Sequence, residues 1–169
     1  MAQELADYED VTGFTLDDDT ETALLAAQDE ATFIWANREG WPVGVIMSYL
    51  FRDGKFWLTA SSQRKRIAAV RRDPRVSIVV TGKGSALPGS RSLTYKGHCV
   101  VRDDRATKEW FYPALAAVLR PDPEDAARFA RFLDSPRRVI LEVTPEQRIG
   151  YDGTKMRAAT ASSHAHLPA

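Results

Sequence analysis

The clearest chemical signal in the sequence is a short cationic segment that follows two serines, Ser61 and Ser62. This cationic segment consists of three consecutive basic residues, Arg64, Lys65 and Arg66. Ile67 and Val70 come next with helical spacing, so we expect the cations to occupy the first turn of a helix. A helix start presents unpaired backbone N–H groups and a partial positive charge, and both suit a phosphate.

Two interpretations of the cationic segment are open. A run of charges often forms only the solvated face of a helix. The helix dipole disfavours cations at a helix start, however, and a bound anion would relieve that repulsion. Guanidinium groups and the hydroxyls of Ser61 and Ser62 would add hydrogen bonds to such an anion. We therefore favour an anion-binding site.

Side-chain nucleophiles and metal ligands have weaker support. His98 and Cys99 are adjacent, so on a strand they would point to opposite faces and could not act as a pair. Cys99 is the only cysteine, which excludes an internal disulfide and a cysteine-rich zinc site. The sequence shows no metal-site pattern, Ser-His-Asp set, dinucleotide fingerprint or Walker loop. The catalytic residues stay unknown, with His98 and Tyr151 as candidates only, so a phosphate-bearing cofactor would supply the chemistry.

Length and composition narrow the class of protein. The chain has 169 residues, which is one domain's worth of sequence. Its 23 basic and 23 acidic side chains balance, which argues against a nucleic-acid-binding protein. No apolar run reaches the ~20 residues of a membrane span and no signal pattern opens the chain, so we expect a cytoplasmic protein. We predict an N-terminal arm over 1–17, one domain over 18–153 and a flexible tail over 154–169.

The elements that must position these residues follow from apolar periodicity and turn signals. We predict strands at 31–37, 43–51, 55–59, 76–81, 92–102 and 138–143. We predict helices at 18–28, 64–72, 103–119 and 122–134. Tight turns between successive strands favour an antiparallel sheet or barrel with peripheral helices, which is a mainly β (α+β) fold.

Several local details accompany this prediction. Ser61 or Ser62 would cap the second helix. The mostly apolar strand 43–51 is expected to be buried on both faces. Asp53-Gly54 indicates a tight hairpin turn, and Gly97 indicates a bulge. The stretch 148–151 either extends the last strand or pairs separately.

The stretch 41–80 resembles the pyridoxamine 5′-phosphate oxidase-like family, the flavin-binding split β-barrels. The order of elements over 18–152 also fits that family. The resemblance implies a six-stranded antiparallel split β-barrel with peripheral helices. It also implies a homodimer that binds two cofactors at the subunit interface. Besides the cationic segment, the matching sequences are Pro42-Val43-Gly44-Val45-Ile46-Met47, Phe56-Trp57-Leu58-Thr59 and Arg71-Arg72-Asp73-Pro74-Arg75-Val76-Ser77.

The resemblance further implies a cofactor, either FMN or the deazaflavin coenzyme F-420, and FMN is our first choice. By position, the cationic segment would bind the phosphate, mainly through Lys65 and Arg66. The strand 43–48 would lie under the ring, with Met47 and Ser48 lining it. The other residues that the resemblance places beside the cofactor are Leu58, Thr59 and Ser92.

Two departures from the vitamin B6 oxidases of this family affect the expected substrate. Those enzymes carry a cation at both ends of the flavin-lining strand, where this chain has Val43 and Ser48. They also end in an arginine-rich substrate motif, which the sequence after 150 lacks. The resemblance therefore implies an oxidoreductase for a small organic molecule other than pyridoxamine phosphate. The alternatives are a carrier or sensor that binds flavin, deazaflavin or haem without turnover, and a dimer whose cofactor site has decayed.

Overall fold

The computed structural model describes residues 10–87 and 89–164, so parts of the predicted arm and tail lie outside the described residues. The described strands are β1 (Glu30–Ala36), β2 (Pro42–Arg52), β3 (Lys55–Ser61), β4 (Arg75–Thr81), β5 (Arg91–Arg102) and β6 (Arg138–Asp152). The described helices are α1 (Asp18–Ala27), α2 (Lys65–Arg72), α3 (Arg105–Leu119), α4 (Pro123–Leu133) and α5 (Gly153–His164). Neighbouring strands are antiparallel, and the barrel closes in the order β1-β2-β3-β6-β5-β4. The predicted mainly β, six-stranded antiparallel barrel is confirmed.

Short-range signals fix the ends of several elements. α1 begins after Asp17, whose carboxylate accepts a hydrogen bond from the backbone N–H of Thr20 at 2.9 Å. The turn between β2 and β3 has positive φ at Asp53 (55°) and Gly54 (72°), as a two-residue hairpin requires. The register of β5 and β6 shifts at Gly97, where any Cβ would collide with the backbone of the facing strand. The predicted hairpin turn and the predicted bulge are confirmed.

The buried apolar residues separate into two clusters on the two sides of the sheet. The barrel interior holds the larger cluster, and Phe33, Phe56 and Ile78 have no exposed surface there. The second cluster joins the outer face of β3 and β6 to the α3–α4 pair. Its buried members are Phe111, Tyr112, Leu115, Leu133 and Ile140. Removal of this apolar surface from water holds the α3–α4 pair against one outer face of the barrel.

β2 differs from the expectation that both its faces are buried. Met47 and Tyr49 are buried, whereas Ile46 is 68% exposed and Phe51 is 38% exposed. The first half of the strand alternates between exposed and half-buried residues. An apolar sequence predicts a surface that avoids water, but it does not distinguish burial within one chain from burial against a second molecule.

The start of α2 also differs from its prediction. β3 continues through Ser61, which pairs with Arg138, and the backbone N–H of Ser62 donates to the Arg137 carbonyl oxygen. Because the sheet holds both serines, Arg64 occupies the N-cap position and provides no side-chain hydrogen bond. The expectation that Ser61 or Ser62 caps this helix is wrong. The first turn of this helix therefore has no side-chain cap among the described residues.

The C-terminal segment forms a helix over the described part of the predicted flexible tail, 154–169. β6 runs to Asp152, so the stretch 148–151 extends the last strand. The Asp152 carboxylate accepts hydrogen bonds from the backbone N–H groups of Thr154 and Lys155, and α5 follows over Gly153–His164. Weak apolar periodicity concealed this helix, although the aspartate at its start was a readable capping signal.

None of the helices in the described ranges is long and apolar enough to span a membrane. Within the same ranges, no group of three or more histidine, cysteine, aspartate or glutamate side chains is arranged to hold a metal ion. The cytoplasmic location stays a prediction.

Candidate cofactor-binding cleft

The two strands β2 and β3 separate from each other at one end of the barrel. These strands pair over only four residues each, from their shared hairpin turn up to Tyr49 and Leu58. Beyond that point, among the described strands, β2 pairs with β1 and β3 pairs with β6, but not with each other. The edges at 42–48 and 59–61 therefore carry backbone N–H and C=O groups that no neighbouring strand uses. Such an edge can hydrogen-bond a flat polar ligand along its length.

A small cavity of about 190 Å³ lies at this opening. β2 contributes Met47 and Ser48, β3 contributes Thr59, and α2 contributes Arg66. Arg138, the first residue of β6, completes the polar side. The α3–α4 pair closes the other side with the apolar residues Leu115, Leu119, Phe129 and Leu133. The structure thus brings together four of the predicted site residues and adds Arg138, which sequence reasoning missed.

Two guanidinium groups of this cavity lack partners. The Nε atoms of Arg66 and Arg138 are buried, and neither has a hydrogen-bond partner among the described residues. Burial lowers the pKa of Arg66, and the nearby charge of Arg64 lowers it further. A buried donor without an acceptor costs ~1–3 kcal/mol. An anion bound between the two arginines would remove this cost, so the cavity has the character of an anion site.

A buried tyrosine lies near the site but lines a separate cavity of about 200 Å³, together with Arg105 and Asp134. Tyr112 of α3 is 1% exposed. Burial raises the pKa of Tyr112, whereas a hydrogen bond with Thr59 and the charge of Arg138 act in the opposite direction. The Thr59 hydroxyl itself donates to the Val139 carbonyl oxygen at 2.9 Å. Tyr112 therefore packs behind Thr59 and is not one of the residues that line the candidate cavity.

The three cations of the cationic segment do not face the same cavity. Arg66 is half-buried and lines the cavity, whereas Arg64 and Lys65 are exposed. Lys65 lines a separate groove of about 410 Å³ together with Asn37 and Arg72. Helical geometry explains the division, because successive residues of a helix lie ~100° apart around its axis. Of the three cations, Arg66 is the one placed to contact an anion in the cavity.

Three other predicted residues lie beside the cavity or behind it. Leu58 faces the barrel interior and has no exposed surface, so only its backbone can reach the cleft. Ser61 and Ser62 are half-buried at the end of β3, next to the start of β6. They are near enough in sequence and register to add hydrogen bonds at the end where Arg138 lies.

Ser92 is far from the cleft within one chain. It pairs with Tyr151 on β6, whereas Thr59 pairs with Ile140 near the start of the same strand. At ~3.3 Å per residue, the two β6 positions are roughly 35 Å apart along the strand. Ser92 could therefore join a cofactor site only if a second subunit supplied it.

The two candidates for proton transfer lie outside the cavity. The His98 imidazole pairs with the Glu146 carboxylate at 2.5 Å on an exposed surface. The Tyr151 hydroxyl donates to Sδ of Met156 at 2.9 Å. No histidine or carboxylate lines the cavity within the described residues. The arrangement can bind and orient a ligand, but it holds no evident general base.

A larger cavity, of about 530 Å³, lies between α1 and the end of β2. Its charged side chains already pair with one another, because Arg148 contacts both Asp18 and Glu21. None of the predicted site residues lines it. We therefore regard the cleft between β2 and β3, with its unpaired charges, as the better candidate site despite its smaller volume.

The family model for pyridoxamine 5′-phosphate oxidase matches residues 22–151, a range that includes the whole cleft. The chain belongs to this family. The match confirms the family that the sequence segments at 41–80 indicated. Among curated proteins, none matches this member of the pyridoxamine 5′-phosphate oxidase family.

Solved structures share the fold of this family member. A conserved hypothetical protein from Mycobacterium tuberculosis has a TM-score of 0.73 and 16% identity, covering 92% of this chain and 91% of that one. A FAD-binding protein from Mesorhizobium loti has a TM-score of 0.61 and 22% identity, and the match covers 80% of this chain and 93% of that one. An F-420 reductase has a TM-score of 0.56 and 18% identity, and the match covers 75% of this chain and 94% of that one. At these identities the similarity shows the fold alone.

Proposed function

We propose that the protein is an FMN-dependent oxidoreductase that acts on a small organic molecule other than pyridoxamine phosphate. The observation that carries this proposal is the pair of unpartnered guanidinium groups, Arg66 and Arg138, beside the free edge of β2. The arginines suit a phosphate, and the strand edge suits a flat heterocycle with polar groups on its rim. Family membership and the similar FAD-binding and F-420 reductase structures support a flavin-type cofactor, with the deazaflavin F-420 as the alternative to FMN.

The residues of the cleft fit such a cofactor. Arg66 and Arg138 would hold its phosphate, and Ser61 and Ser62 would add hydrogen bonds at the same end of β3. Backbone groups of the edge at 42–48 would orient the ring. The apolar α3–α4 wall would keep water from the phosphate end, which strengthens the charged contacts there. The cofactor, when bound, supplies hydride or electron transfer, while the protein binds, orients and excludes water.

The proposed substrate differs from that of the vitamin B6 oxidases because of two positions on β2. Val43 and Ser48 stand where those enzymes carry cations. Val43 instead packs against the barrel core, and Ser48 lines the cavity with a neutral hydroxyl. Neither side chain can pair with a charged group of the substrate. We therefore expect a small molecule without a phosphate.

We also propose a homodimer with the cofactor at the subunit interface. Strand register aligns five outward-facing, uncharged residues in one row across the sheet: Ile46, Thr32, Val79, Thr94 and Ile149. Ile46 is 68% exposed and Ile149 is 55% exposed, so a second copy could cover the row. Ser92 is two residues from Thr94 on the same face and would then lie at the interface. Replacing Ile149 by aspartate should convert the dimer to a monomer, which sedimentation velocity measures. An unchanged sedimentation coefficient would count against this face.

The second candidate function is a carrier or sensor that binds flavin, deazaflavin or haem without turnover. The observation that favours it is the lack of a histidine or carboxylate around the described cavity. An oxidoreductase that moves a proton with the hydride would need that proton from water, from its substrate or from a second subunit. Turnover therefore separates the two candidates.

An absorbance spectrum of the purified protein, followed by titration with FMN and with F-420, tests the proposal. A flavin spectrum or tight FMN binding supports it, and tight F-420 binding without FMN binding selects the deazaflavin alternative. The bound cofactor is then reduced without oxygen and mixed with organic acceptors. Reoxidation by an acceptor supports the oxidoreductase, and a reduced cofactor that no acceptor reoxidises supports the carrier. Binding of neither cofactor overturns the oxidoreductase and the flavin and deazaflavin forms of the carrier.

A further inference from the structure

We infer that the larger cavity, between α1 and the end of β2, binds a small organic cation with an apolar body. None of the described residues lines both this cavity and the cavity of the cofactor-binding cleft. The two sites are therefore separate, and the second one does not depend on the proposed function.

The size and construction of the cavity suit a small molecule. Its volume of about 530 Å³ lies within the ~300–1,000 Å³ of typical ligand pockets. α1 and its C-cap contribute residues between Asp18 and Gln28, β2 contributes residues 49–51, and α3 contributes Val118. Because three separate elements form the cavity, a ligand in it is contacted from more than one side.

Apolar side chains supply the first requirement on the ligand. Leu25 is buried and Leu50 is half-buried, whereas Phe51 and Val118 are 38% and 51% exposed. Apolar surface that stays in contact with water inside a concave site is typical of a place where a ligand binds. A ligand with an apolar body would remove this surface from water, which is favourable.

The charge of the lining supplies the second requirement. The described residues that line the cavity include two carboxylates, Asp18 and Glu21, and one cation, Arg148. Arg148 contacts both carboxylates, and the Tyr95 hydroxyl also donates a hydrogen bond to Glu21. The contact with Asp18 is long, at 3.6 Å, and the Asp18 side chain is 99% exposed. One positive charge therefore faces two negative charges, and a cationic ligand would restore the balance.

The end of α1 adds negative polarity on the same side. The helix ends at Ala27 without a basic residue in its last turn, and a helix C-terminus carries a partial negative charge that favours a cation. The amide nitrogen of Gln28 donates to the Lys83 carbonyl oxygen at 3.1 Å, which leaves the amide oxygen as an acceptor. Burial raises the pKa of Tyr49, and the negative charge of Asp29 raises it further. All of these groups favour a positive charge on the ligand.

The combination of the two requirements selects the class of ligand. A phosphate would be repelled by the carboxylates of Asp18 and Glu21. A bare metal ion would need several oxygen ligands and would gain nothing from contact with Phe51 and Val118. A protonated amine on an aromatic or aliphatic body matches both the charged and the apolar parts of the site.

Titration of the full-length protein with phenethylamine and with 2-phenylethanol tests the inference. The two probes have nearly the same size and shape, but only the amine is charged at neutral pH, so the ratio of their affinities reports on charge. We expect the amine to bind about fivefold to 20-fold more tightly, because the carboxylate and the helix end each contribute. Ligand-observed NMR measures both dissociation constants.

The adjacent aspartates of α1 give a matched pair of variants. Asp18→Asn should lower the amine-to-alcohol ratio by about twofold to fivefold, because it removes an exposed charge from the rim of the cavity. Asp19→Asn is the control, since Asp19 is equally part of the first turn and exposed but does not line the cavity. It should change the ratio by less than about 1.5-fold, because solvent and salt screen a charge outside the site.

Variants that fill the cavity test where the probes bind. Ala26 lines the cavity and is exposed, so Ala26→Trp should weaken binding of both probes at least about tenfold by occupying their space. Ala23→Trp is the control, because Ala23 is exposed on the same helix but does not line the cavity, and it should leave both affinities within about twofold. Val118→Trp fills the cavity from α3, so the result does not depend on the folding of one variant.

Three results would overturn the inference. The first is that neither probe binds up to about 10 mM. The second is that the alcohol binds as tightly as the amine, or that Asp18→Asn leaves their ratio unchanged. The third is that Ala26→Trp and Val118→Trp both leave binding unchanged, which would place the probes elsewhere. None of these results bears on the proposed function, which is tested by FMN and F-420 binding in the other cavity.

Discussion

β6 carries two charged positions on one outer face, and their surroundings are opposite in character. Glu142 is 3% exposed and accepts hydrogen bonds from Lys55 and, at 2.5 Å, from Arg102. Arg138 lies four residues earlier on the same face, and its buried Nε has no partner in the described chain. The Glu142 carboxylate raises the pKa of Arg102, whereas burial lowers the pKa of Arg66 across the cavity from Arg138.

The difference teaches how to separate a structural charge cluster from a ligand site made of the same residue types. Around Glu142 the chain supplies both signs of charge, so that cluster is complete without a ligand. Around Arg138 and Arg66, the described residues that line the cavity carry only positive charge. The missing anion is the strongest reason to place a phosphate there.

Removal of the Glu142 charge should have the largest effect on stability. Glu142→Gln leaves Lys55 and Arg102 without their carboxylate, and breaking a buried ion pair costs ~3–5 kcal/mol. The two cations are 35% and 44% exposed, so we expect the lower end, a loss of ~3 kcal/mol. Urea denaturation measures this loss, and a change below ~1 kcal/mol would mean that the cluster is not a structural unit.

Removal of Arg66 should have the largest effect on cofactor binding. Arg66→Ala deletes one of the two cations in the cavity, so FMN affinity should fall on the order of 100-fold. Lys65→Ala is the matched control, because this neighbour is exposed in a separate groove, and it should change the affinity by less than about threefold. Fluorescence titration of FMN measures both. A larger loss for Lys65 than for Arg66 would place the phosphate in the groove beside Arg72.

Replacement of Arg138 by an apolar residue should stabilise the folded protein, whereas Glu142→Gln should destabilise it. Arg138→Met removes a buried donor that has no partner in the described chain, so the cofactor-free protein should gain about 1 kcal/mol of stability. Thermal unfolding in a buffer without phosphate measures this gain. A loss of stability as large as that of Glu142→Gln would show that Arg138 has a structural partner.

The smallest expected effect is a pH dependence of the Glu142 cluster. Burial alone would raise the pKa of Glu142, but hydrogen bonds from Lys55 and Arg102 outweigh it and hold the pKa below the ordinary value of 4.5. The stabilisation is therefore fully present above pH 4.5 and is lost as the pH falls through the folded-state pKa. The stability difference between the original protein and Glu142→Gln should shrink in acid. Urea denaturation at several pH values checks this, and a constant difference would contradict it.

Much of the fold could be predicted because its signals are local. The cap at Asp17, the turn at Asp53-Gly54 and the bulge at Gly97 each depend on a few neighbouring residues. The errors arose where a local pattern had two structural outcomes. The apolar strand β2 forms an exposed face in place of a buried one, and Ser61 belongs to the β3 ladder in place of a helix cap.

The site was half predictable for a related reason. Met47, Ser48, Thr59 and Arg66 belong to a hairpin and the helix that follows it, so short-range order brings them together. Arg138 comes from the last strand, and only its pairing with β3 places it in the cavity. Such long-range contacts leave no mark in the local sequence.

A crystal structure of the protein with FMN would test the central claim most directly, that the unpaired arginines of the cleft bind a phosphate. We predict a phosphorus atom within ~4 Å of the guanidinium nitrogens of both Arg66 and Arg138, with the ring along the free edge of β2. A phosphate bound instead in the groove of Lys65 and Arg72, or in the larger cavity beside α1, would contradict the claim.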